Sequence, residues 1–184
     1  MINVNGQLLA KNENVFTIEN RGFKYGDAVF ETMKYINGKI VFLEEHYFRL
    51  MSSLRMLRMD ASMQFTLEYF EEEILKTIKA NALESARIRF SVNRHPGGLY
   101  TPKDNGIQFY IEVGELDENT KDQFEVELYK DFYVYSGLLS TIKTNNRALN
   151  VVASVFAEEN EYDTCILINE KKQVVESISG NVFL

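Results

Sequence analysis

The spacing of apolar residues in the first part of the chain predicts a β-hairpin. Residues 28–36 and 39–43 are both rich in β-branched and aromatic side chains, and Asn37-Gly38 lies between them. An Asn-Gly pair suits a two-residue type I′ turn, because that turn needs positive φ at both positions. We therefore expect two antiparallel strands joined at Asn37-Gly38.

Helical spacing replaces this pattern after the hairpin and predicts two amphipathic helices. The first begins at about Glu44, and the second begins at about Thr66 with acidic residues near its start. Their apolar faces carry Tyr47, Phe48, Leu50, Met51, Leu54 and Leu57 in the first helix and Leu67, Phe70, Ile74, Leu75 and Ile78 in the second. Because an apolar stripe of this kind packs against a core, we expect both helices to cover the hairpin.

Strand patterns return at residues 87–93 and 107–113, on either side of the loop His95-Pro96-Gly97-Gly98. The proline and the paired glycines interrupt regular structure there. We expect the two flanking strands to pair in an antiparallel sheet.

The last third of the chain predicts one helix and one strand pair. The helix follows Lys143 and ends near Asn160, while residues 165–168 and 174–175 form strands across a polar turn. Residues 124–134 precede the lysine as an extended run. Taken with the first two thirds, this order of elements predicts a mixed α+β fold.

Charged residues without periodicity, from 114 to 123, indicate a domain boundary. We place a small N-terminal α/β domain at 1–117, a linker at 118–123 and the start of a larger β-rich domain at 124–184. Residues 180–184 resemble the beginning of a strand, and a domain this short would bury too little surface to be stable alone. We therefore expect the natural polypeptide to continue beyond these residues.

The composition narrows the class of partner. The chain carries 27 acidic and 20 basic side chains, a net charge of -7, so no basic field favours nucleic acid or an anionic membrane. The N-terminus lacks the apolar run of a signal peptide, and we expect a cytoplasmic protein. Cys165 is the single cysteine and is accompanied only by His46 and His95, which excludes a disulfide framework and a Cys/His metal cluster.

Three side chains match the needs of a pyridoxal-phosphate (PLP) enzyme. Such an enzyme supplies a lysine amine, a charged partner for the pyridine nitrogen and cationic donors for the phosphate. Lys143 follows an extended run, Glu176 ends a strand, and the guanidinium of Arg49 has the shape for bidentate phosphate binding. Considered singly, each is more simply a solvated surface charge.

Their order and surroundings resemble the fold type IV PLP enzymes. This class IV aminotransferase family includes the branched-chain and D-amino acid aminotransferases and aminodeoxychorismate lyase. The resemblance rests on Asn5-Gly6, the run from Arg21 to Glu31 (RGFKYGDAVFE), the helix with His46 and Arg49-Leu50, Lys143, and the run from Val174 to Phe183 (VVESISGNVF). These segments match in the family's order, so together they are far more specific than any one of them.

The resemblance implies both an architecture and a set of roles. The fold would be a small two-layer α/β domain followed by a larger, here truncated, β-rich domain, in an enzyme that forms homodimers. Arg49 would bind the cofactor phosphate, Lys143 would form the Schiff base, and Glu176 would pair with the protonated pyridine nitrogen. Ser177 and Ser179 would add hydrogen bonds around the phosphate or the ring.

Within the family, the pocket residues favour aminodeoxychorismate lyase, which eliminates pyruvate and leaves 4-aminobenzoate for folate biosynthesis. Thr32 lies where the lyase has a threonine implicated in elimination, and it would orient or protonate the departing group. The run from Lys143 to Arg147 (KTNNR) resembles the lyase and lacks the Gly-Asn-Tyr of branched-chain enzymes. Gly97-Gly98-Leu99-Tyr100 lacks the arginine and histidine of D-amino acid aminotransferases.

The substrate carboxylate would be met by Arg89 or Arg94. Their odd separation places them on opposite faces of a regular strand, so at most one reaches the site, and the sequence leaves open which. Amino-acid transamination is the alternative activity, with Lys143 moving the proton from the α-carbon to the cofactor. A non-catalytic relative, or an inactive fragment, is the third hypothesis.

Overall fold

The computed structural model describes residues 1–116 and 121–183. The chain divides into two compact units, the first formed by Met1–Asp117 with Lys143–Asn145 and the second by Glu118–Ile142 with Asn146–Leu184. Helices and sheets are mixed, which confirms the predicted α+β fold class. The expected linker at 118–123 includes residues 118–120, which lie outside the described residues.

A six-stranded antiparallel sheet forms the first unit. Its strands are β1 (Ile2–Val4), β2 (Gln7–Leu9), β3 (Ala28–Ile36), β4 (Lys39–Ile40), β5 (Ala86–Arg94) and β6 (Ile107–Gly114), in the spatial order β2-β1-β6-β5-β3-β4. The expected antiparallel pairing of the strands on either side of the glycine-rich loop is confirmed, with Arg89 opposite Glu112. The β1-β2 hairpin was not predicted, because three-residue strands are too short to show alternation.

The β3-β4 hairpin is confirmed, but its second strand is shorter than expected. Asn37 and Gly38 take positive φ angles of 51° and 75°, as a type I′ turn requires. The strand ends at Ile40 rather than residue 43, because Phe42 adopts a positive φ of 55° and precedes the first turn of a helix. The apolar run therefore joins a short strand to a helix start.

Two long helices pack against this sheet, as predicted. They are α2 (Leu43–Met56) and α3 (Leu67–Ala80), preceded by a short helix α1 (Arg21–Tyr25) that the sequence did not predict. Thr66 caps α3 by accepting a hydrogen bond from the backbone N–H of Tyr69. The core beneath is aromatic, with the rings of Phe70 and Phe90 4.5 Å apart between centroids.

Among the residues described, the second unit contains a three-stranded sheet, one α-helix and one 3-10 helix. Its elements are β7 (Val126–Tyr129), a 3-10 helix (Leu138–Thr141), α4 (Ala148–Glu159), β8 (Thr164–Ile168) and β9 (Val174–Ser177). β7 pairs parallel to β8, and β8 pairs antiparallel to β9, which confirms the predicted strand pair. Its core contains Tyr129, Ala153, Ala157, Cys165 and Leu167. Only four residues of the extended run 124–134 form a strand.

No helix within residues 1–116 and 121–183 is long and apolar enough to cross a membrane. The same described residues contain no group of three or more His, Cys, Asp or Glu side chains placed to hold a metal ion.

A buried network of ion pairs, formed by Asp27, Arg21 and Arg94, lies at the start of β3. Asp27 accepts hydrogen bonds from Nε of Arg21 at 2.8 Å and from Nε of Arg94 at 2.9 Å. Arg94 also donates to the carbonyls of Leu57 and Arg58, which directly follow α2, and to the side-chain oxygen of Asn105. The guanidinium of Arg94 thus ties α2 to the sheet.

This network fixes the ionisation of Asp27. Burial alone would raise the pKa of the carboxyl, but the hydrogen bonds and charges of Arg94 and Arg21 outweigh burial and lower the pKa below its usual value. A carboxyl whose pKa is lowered by folding binds its proton more tightly in the unfolded chain. Its stabilising contribution is therefore full above the unfolded pKa of about 3.9 and is lost as the pH falls through the lower folded pKa.

We expect Asp27→Asn to lower the free energy of unfolding by about 1–3 kcal/mol at neutral pH, because two buried guanidinium groups lose a charged acceptor. The difference from the parent should narrow as the pH falls below about 4. Urea denaturation followed by circular dichroism at several pH values measures both effects. The exposed Asp60→Asn is the control and should change little. A difference that stayed constant to low pH would contradict the assignment.

Candidate functional site

The two faces of β3 have different surroundings. Val29, Glu31 and Met33 lie on the face covered by helices, whereas Phe30 and Thr32 lie on the other face. Register places Thr32 directly opposite Arg89 of β5, so the two residues share that second face. The sheet therefore presents Phe30, Thr32 and Arg89 together.

Lys143 is held on this face by backbone pairing with β3. The N–H of Phe30 donates to the carbonyl of Lys143 at 2.9 Å, and the N–H of Asn145 donates to the carbonyl of Ala28 at 3.0 Å. Val29 and Thr144 form the antiparallel bridge between these bonds. This lysine was expected inside the second domain, whereas the structure groups residues 143–145 with the first unit.

Two cationic side chains lie over one aromatic ring. The Nζ atom of Lys143 is 4.9 Å from the ring centroid of Phe30, and the guanidinium carbon of Arg89 is 3.8 Å from the same centroid. Arg89 also donates to the side-chain oxygen of Asn145 at 3.3 Å. Both cationic groups therefore contact the ring of Phe30, on the sheet face that also carries Thr32.

The structure separates the two arginines proposed for the substrate. Arg94 lies on the opposite face from Arg89, is buried, and has its guanidinium hydrogen-bonded to Asp27, to Asn105 and to backbone carbonyls. Its contacts give it a structural role. Arg89 is the candidate that we retain for the substrate carboxylate.

Arg49 lies on α2, where it forms a fork with Glu31. Its Nε donates to Glu31 Oε1 at 2.7 Å, its Nη2 donates to Oε2, and His46 Nδ1 lies 2.8 Å from Oε2. Burial alone would raise the pKa of Glu31, but the hydrogen bonds from Arg49 and His46 outweigh it and lower that pKa. The hydrogen bond to Glu31 raises the pKa of Arg49. Half of the Arg49 side chain stays exposed, so it can still meet an anion.

The second unit holds Glu176 at the N-terminal end of α4. One carboxylate oxygen, Oε1, accepts from Arg147 Nη1 at 3.3 Å and from Asn150 Nδ2 at 3.1 Å. Oε2 accepts no hydrogen bond from the residues that the structure describes. That oxygen is an acceptor for a donor such as a pyridine N–H.

Ser177 and Ser179 follow Glu176 and share one partner. Their hydroxyl oxygens lie 3.3 Å and 2.9 Å from the hydroxyl oxygen of Thr164, which is buried. This shared contact orders the turn after β9. A hydroxyl has one proton and two lone pairs, so both serines keep capacity for a further hydrogen bond.

Sequence reasoning gave no individual role to Phe30, Glu31, His46 or Asn145. A signal for Glu31 was available, because strand alternation puts its carboxylate on the apolar face with Val29, and a buried carboxylate needs donors. The spacing of three between His46 and Arg49 supplies those donors from one helix face. Phe30 and Asn145 carry no such signal, since their contacts depend on the pairing of distant segments.

The chain matches the family model of amino-transferase class IV over residues 28–184. A Methanocaldococcus jannaschii protein, provisionally named a branched-chain-amino-acid aminotransferase, is 28% identical over 100% of this chain and 64% of its own length. D-alanine aminotransferase of Listeria monocytogenes is 25% identical over 97% of this chain and 63% of its own length. The chain thus spans slightly less than two thirds of the curated relatives it matches.

Solved structures share this fold. Branched-chain amino acid aminotransferase of Escherichia coli superposes with a TM-score of 0.83 at 17% identity, over 96% of this chain and 62% of that chain. A Legionella pneumophila protein provisionally named 4-amino-4-deoxychorismate lyase gives 0.80 at 20% identity, over 91% of this chain and 62% of that chain. At these identities the likeness establishes the fold. Because the family model covers the chain from the start of β3 to its last residue, the chain belongs to the class IV aminotransferase family.

Proposed function

We propose that this chain is part of a PLP-dependent enzyme in which Lys143 binds the cofactor covalently. The observation that carries the proposal is the position of Lys143, whose backbone pairs with β3 and whose amine lies over the ring of Phe30, which the guanidinium of Arg89 also contacts. A solvated surface lysine needs neither contact. Solved relatives support the cofactor, since one branched-chain aminotransferase structure contains pyridoxamine 5'-phosphate.

We propose a group of this chain for each of the three parts of PLP. The first unit offers the amine of Lys143 for the aldehyde carbon and the exposed guanidinium of Arg49 for the phosphate. The second unit offers Glu176, whose Oε2 can accept a hydrogen bond from a protonated pyridine nitrogen. Ser177 and Ser179 are proposed as further hydrogen-bonding groups near the phosphate or ring.

When bound, PLP supplies a ring that stabilises negative charge at the α-carbon of an attached amino acid. Lys143 would hold the cofactor covalently, and its amine would also serve as the base that takes the α-proton of the substrate. Arg89 contacts the same Phe30 ring as Lys143 and would bind the substrate carboxylate. Glu176 favours the protonated ring nitrogen because its carboxylate is negatively charged.

The activity that we propose first is aminodeoxychorismate lyase. Thr32 supports it, because this residue is opposite Arg89 on the face that carries Lys143, where its hydroxyl can orient or protonate the departing pyruvate. The products would be pyruvate and 4-aminobenzoate, which would place the enzyme in folate biosynthesis. The solved relative provisionally named as this lyase has the same fold.

Amino-acid transamination is the second candidate. The relatives from Methanocaldococcus jannaschii and Listeria monocytogenes bear aminotransferase names, which favours it. Lys143 would then return the proton to the cofactor rather than assist elimination. The same residues perform the first proton transfer in both reactions, so the substrate pocket decides between them.

Lys143→Ala should abolish covalent cofactor binding, because no other amine has this position. Borohydride reduction of the PLP-loaded parent should remove the visible absorption band and leave a pyridoxyl label covalently attached to the protein, and the variant should lack this label. Lys34→Ala is the matched control, since Lys34 is an exposed lysine on the same face of β3 and its loss should leave the label intact. A parent without any reducible band would overturn the cofactor assignment and favour a non-catalytic relative.

Thr32→Val separates the two activities, because valine keeps the volume of threonine and lacks its hydroxyl. If the lyase assignment is right, formation of 4-aminobenzoate from aminodeoxychorismate should fall about 10²-fold, the usual effect of losing a proton-transfer group. Cofactor loading, read by absorbance, should not change. A parent that makes no 4-aminobenzoate but transfers amino groups from D-alanine or leucine would establish transamination instead.

We also propose that the enzyme is cytoplasmic and acts as a homodimer. Large apolar side chains are exposed on α1 and on the loop after β5, with Phe23 77%, Leu99 76% and Tyr100 88% accessible. Arg21 holds that loop by donating hydrogen bonds to the carbonyls of Gly97, Leu99 and Tyr100. Exposed apolar surfaces of this kind mark protein contacts.

Light scattering should give twice the chain mass, and Leu99→Ser with Tyr100→Ser should shift the mass to that of a monomer. A monomeric parent would exclude the homodimer.

A further inference from the structure

We propose that Glu31 is a positioning residue that fixes the guanidinium of Arg49 for the phosphate of the cofactor. The inference rests on the proposed function, because it concerns the phosphate of PLP. It assigns a task to a carboxylate that does not itself contact the phosphate. His46 is the second member of the same device.

Glu31 is almost completely buried, with 1% of its surface accessible, and both of its oxygens accept hydrogen bonds. Isolated burial of a carboxylate is strongly unfavourable, so the site depends on Arg49 and His46 as donors. Two parallel N–H donors to one carboxylate define the plane of a guanidinium, which a single contact does not. Glu31 therefore sets the orientation of Arg49 and not only its charge.

The two hydrogen bonds to Glu31 occupy one edge of the Arg49 guanidinium and leave the Nη1 edge without a bond to Glu31. Nε and Nη2 of Arg49 face Glu31, while Nη1 has no hydrogen-bond partner among residues 1–116 and 121–183. The side chain is 53% exposed, so Nη1 is at the surface. An incoming phosphate meets a donor edge that is already oriented, and it avoids the entropy cost of ordering a long flexible side chain.

His46 strengthens the arrangement from the same helix. It precedes Arg49 by three positions on α2, which places both side chains on one face, and its Nδ1–H donates to Glu31 Oε2 at 2.8 Å. Three N–H groups thus share the charge of one carboxylate. This sharing reduces the repulsion between Glu31 and a phosphate on the far edge of Arg49.

Orientation and repulsion make opposite predictions, and the structure favours orientation. If Glu31 mainly repelled the phosphate, its neutral amide would bind PLP more tightly. If Glu31 mainly orients Arg49, the amide should bind PLP more weakly, because one oxygen of the fork becomes an NH2 donor facing a guanidinium. The effect should be confined to ligands that carry a phosphate.

The test compares PLP with pyridoxal, which lacks the phosphate, in binding titrations followed by the absorbance of the lysine adduct. We expect Glu31→Gln to weaken PLP binding about tenfold, a change in affinity equivalent to about 1.4 kcal/mol, with pyridoxal affinity unchanged. Glu73→Gln is the matched control, since Glu73 is a buried carboxylate of α3 paired with Lys76 and Asn3. It should alter neither affinity.

A double-mutant cycle separates positioning from a merely structural ion pair. Arg49→Lys keeps the charge and loses the fork, so it should weaken PLP binding selectively. Adding Glu31→Gln to it should cost little more, because the two residues act as one unit. If Glu31→Gln does not fold, His46→Ala replaces it, and we expect the same selective loss with a smaller size.

The possible outcomes are distinct. An unchanged ratio of PLP to pyridoxal affinity in Glu31→Gln and in His46→Ala overturns the positioning role, and so does tighter PLP binding. Both results leave the cofactor assignment standing, because the lysine adduct still forms. A parent that forms no adduct with either ligand overturns the proposed function and this inference together.

Discussion

The position of Lys143 depends on the part of the β3 edge that β4 leaves unpaired. β4 pairs with β3 only at Tyr35 and Ile36, so the first half of β3 keeps backbone groups on that side which still need partners. Residues 143–145 supply those partners. Because partners in an antiparallel ladder share a face, the pairing also sends the lysine side chain toward Phe30 and Arg89.

The parts of the fold that could be predicted are those with strong local signals. Asn37-Gly38 specified a turn, and Thr66 marked the start of an amphipathic helix, because backbone preference and burial agree there. β1, β2 and α1 carry too few residues to show a period. The early end of β4 was missed because the apolar run through Phe42 looks the same in a strand and at a helix start.

The candidate site shows a different limit. Lys143, Glu176 and Arg49 are candidates only through the order of the family motifs, since charged residues in loops and on helices are mostly solvated. Their odd separation along β5 predicted that Arg89 and Arg94 lie on opposite faces. The choice between them depended on the contact of Arg94 with Asp27, which lies 67 positions earlier in the chain. Contacts over such separations leave no local pattern, so they become visible only in three dimensions.

The pairing of residues 143–145 with β3 also restricts how this protein can change in length. Side chains alternate along an extended segment, so one residue inserted or deleted beside Lys143 would turn its amine toward the helices unless two backbone hydrogen bonds were given up. The loop between β5 and β6 does not pair with β3, and Leu99 and Tyr100 there are largely exposed. Among natural variants, gaps should accumulate in that loop and be absent around the lysine.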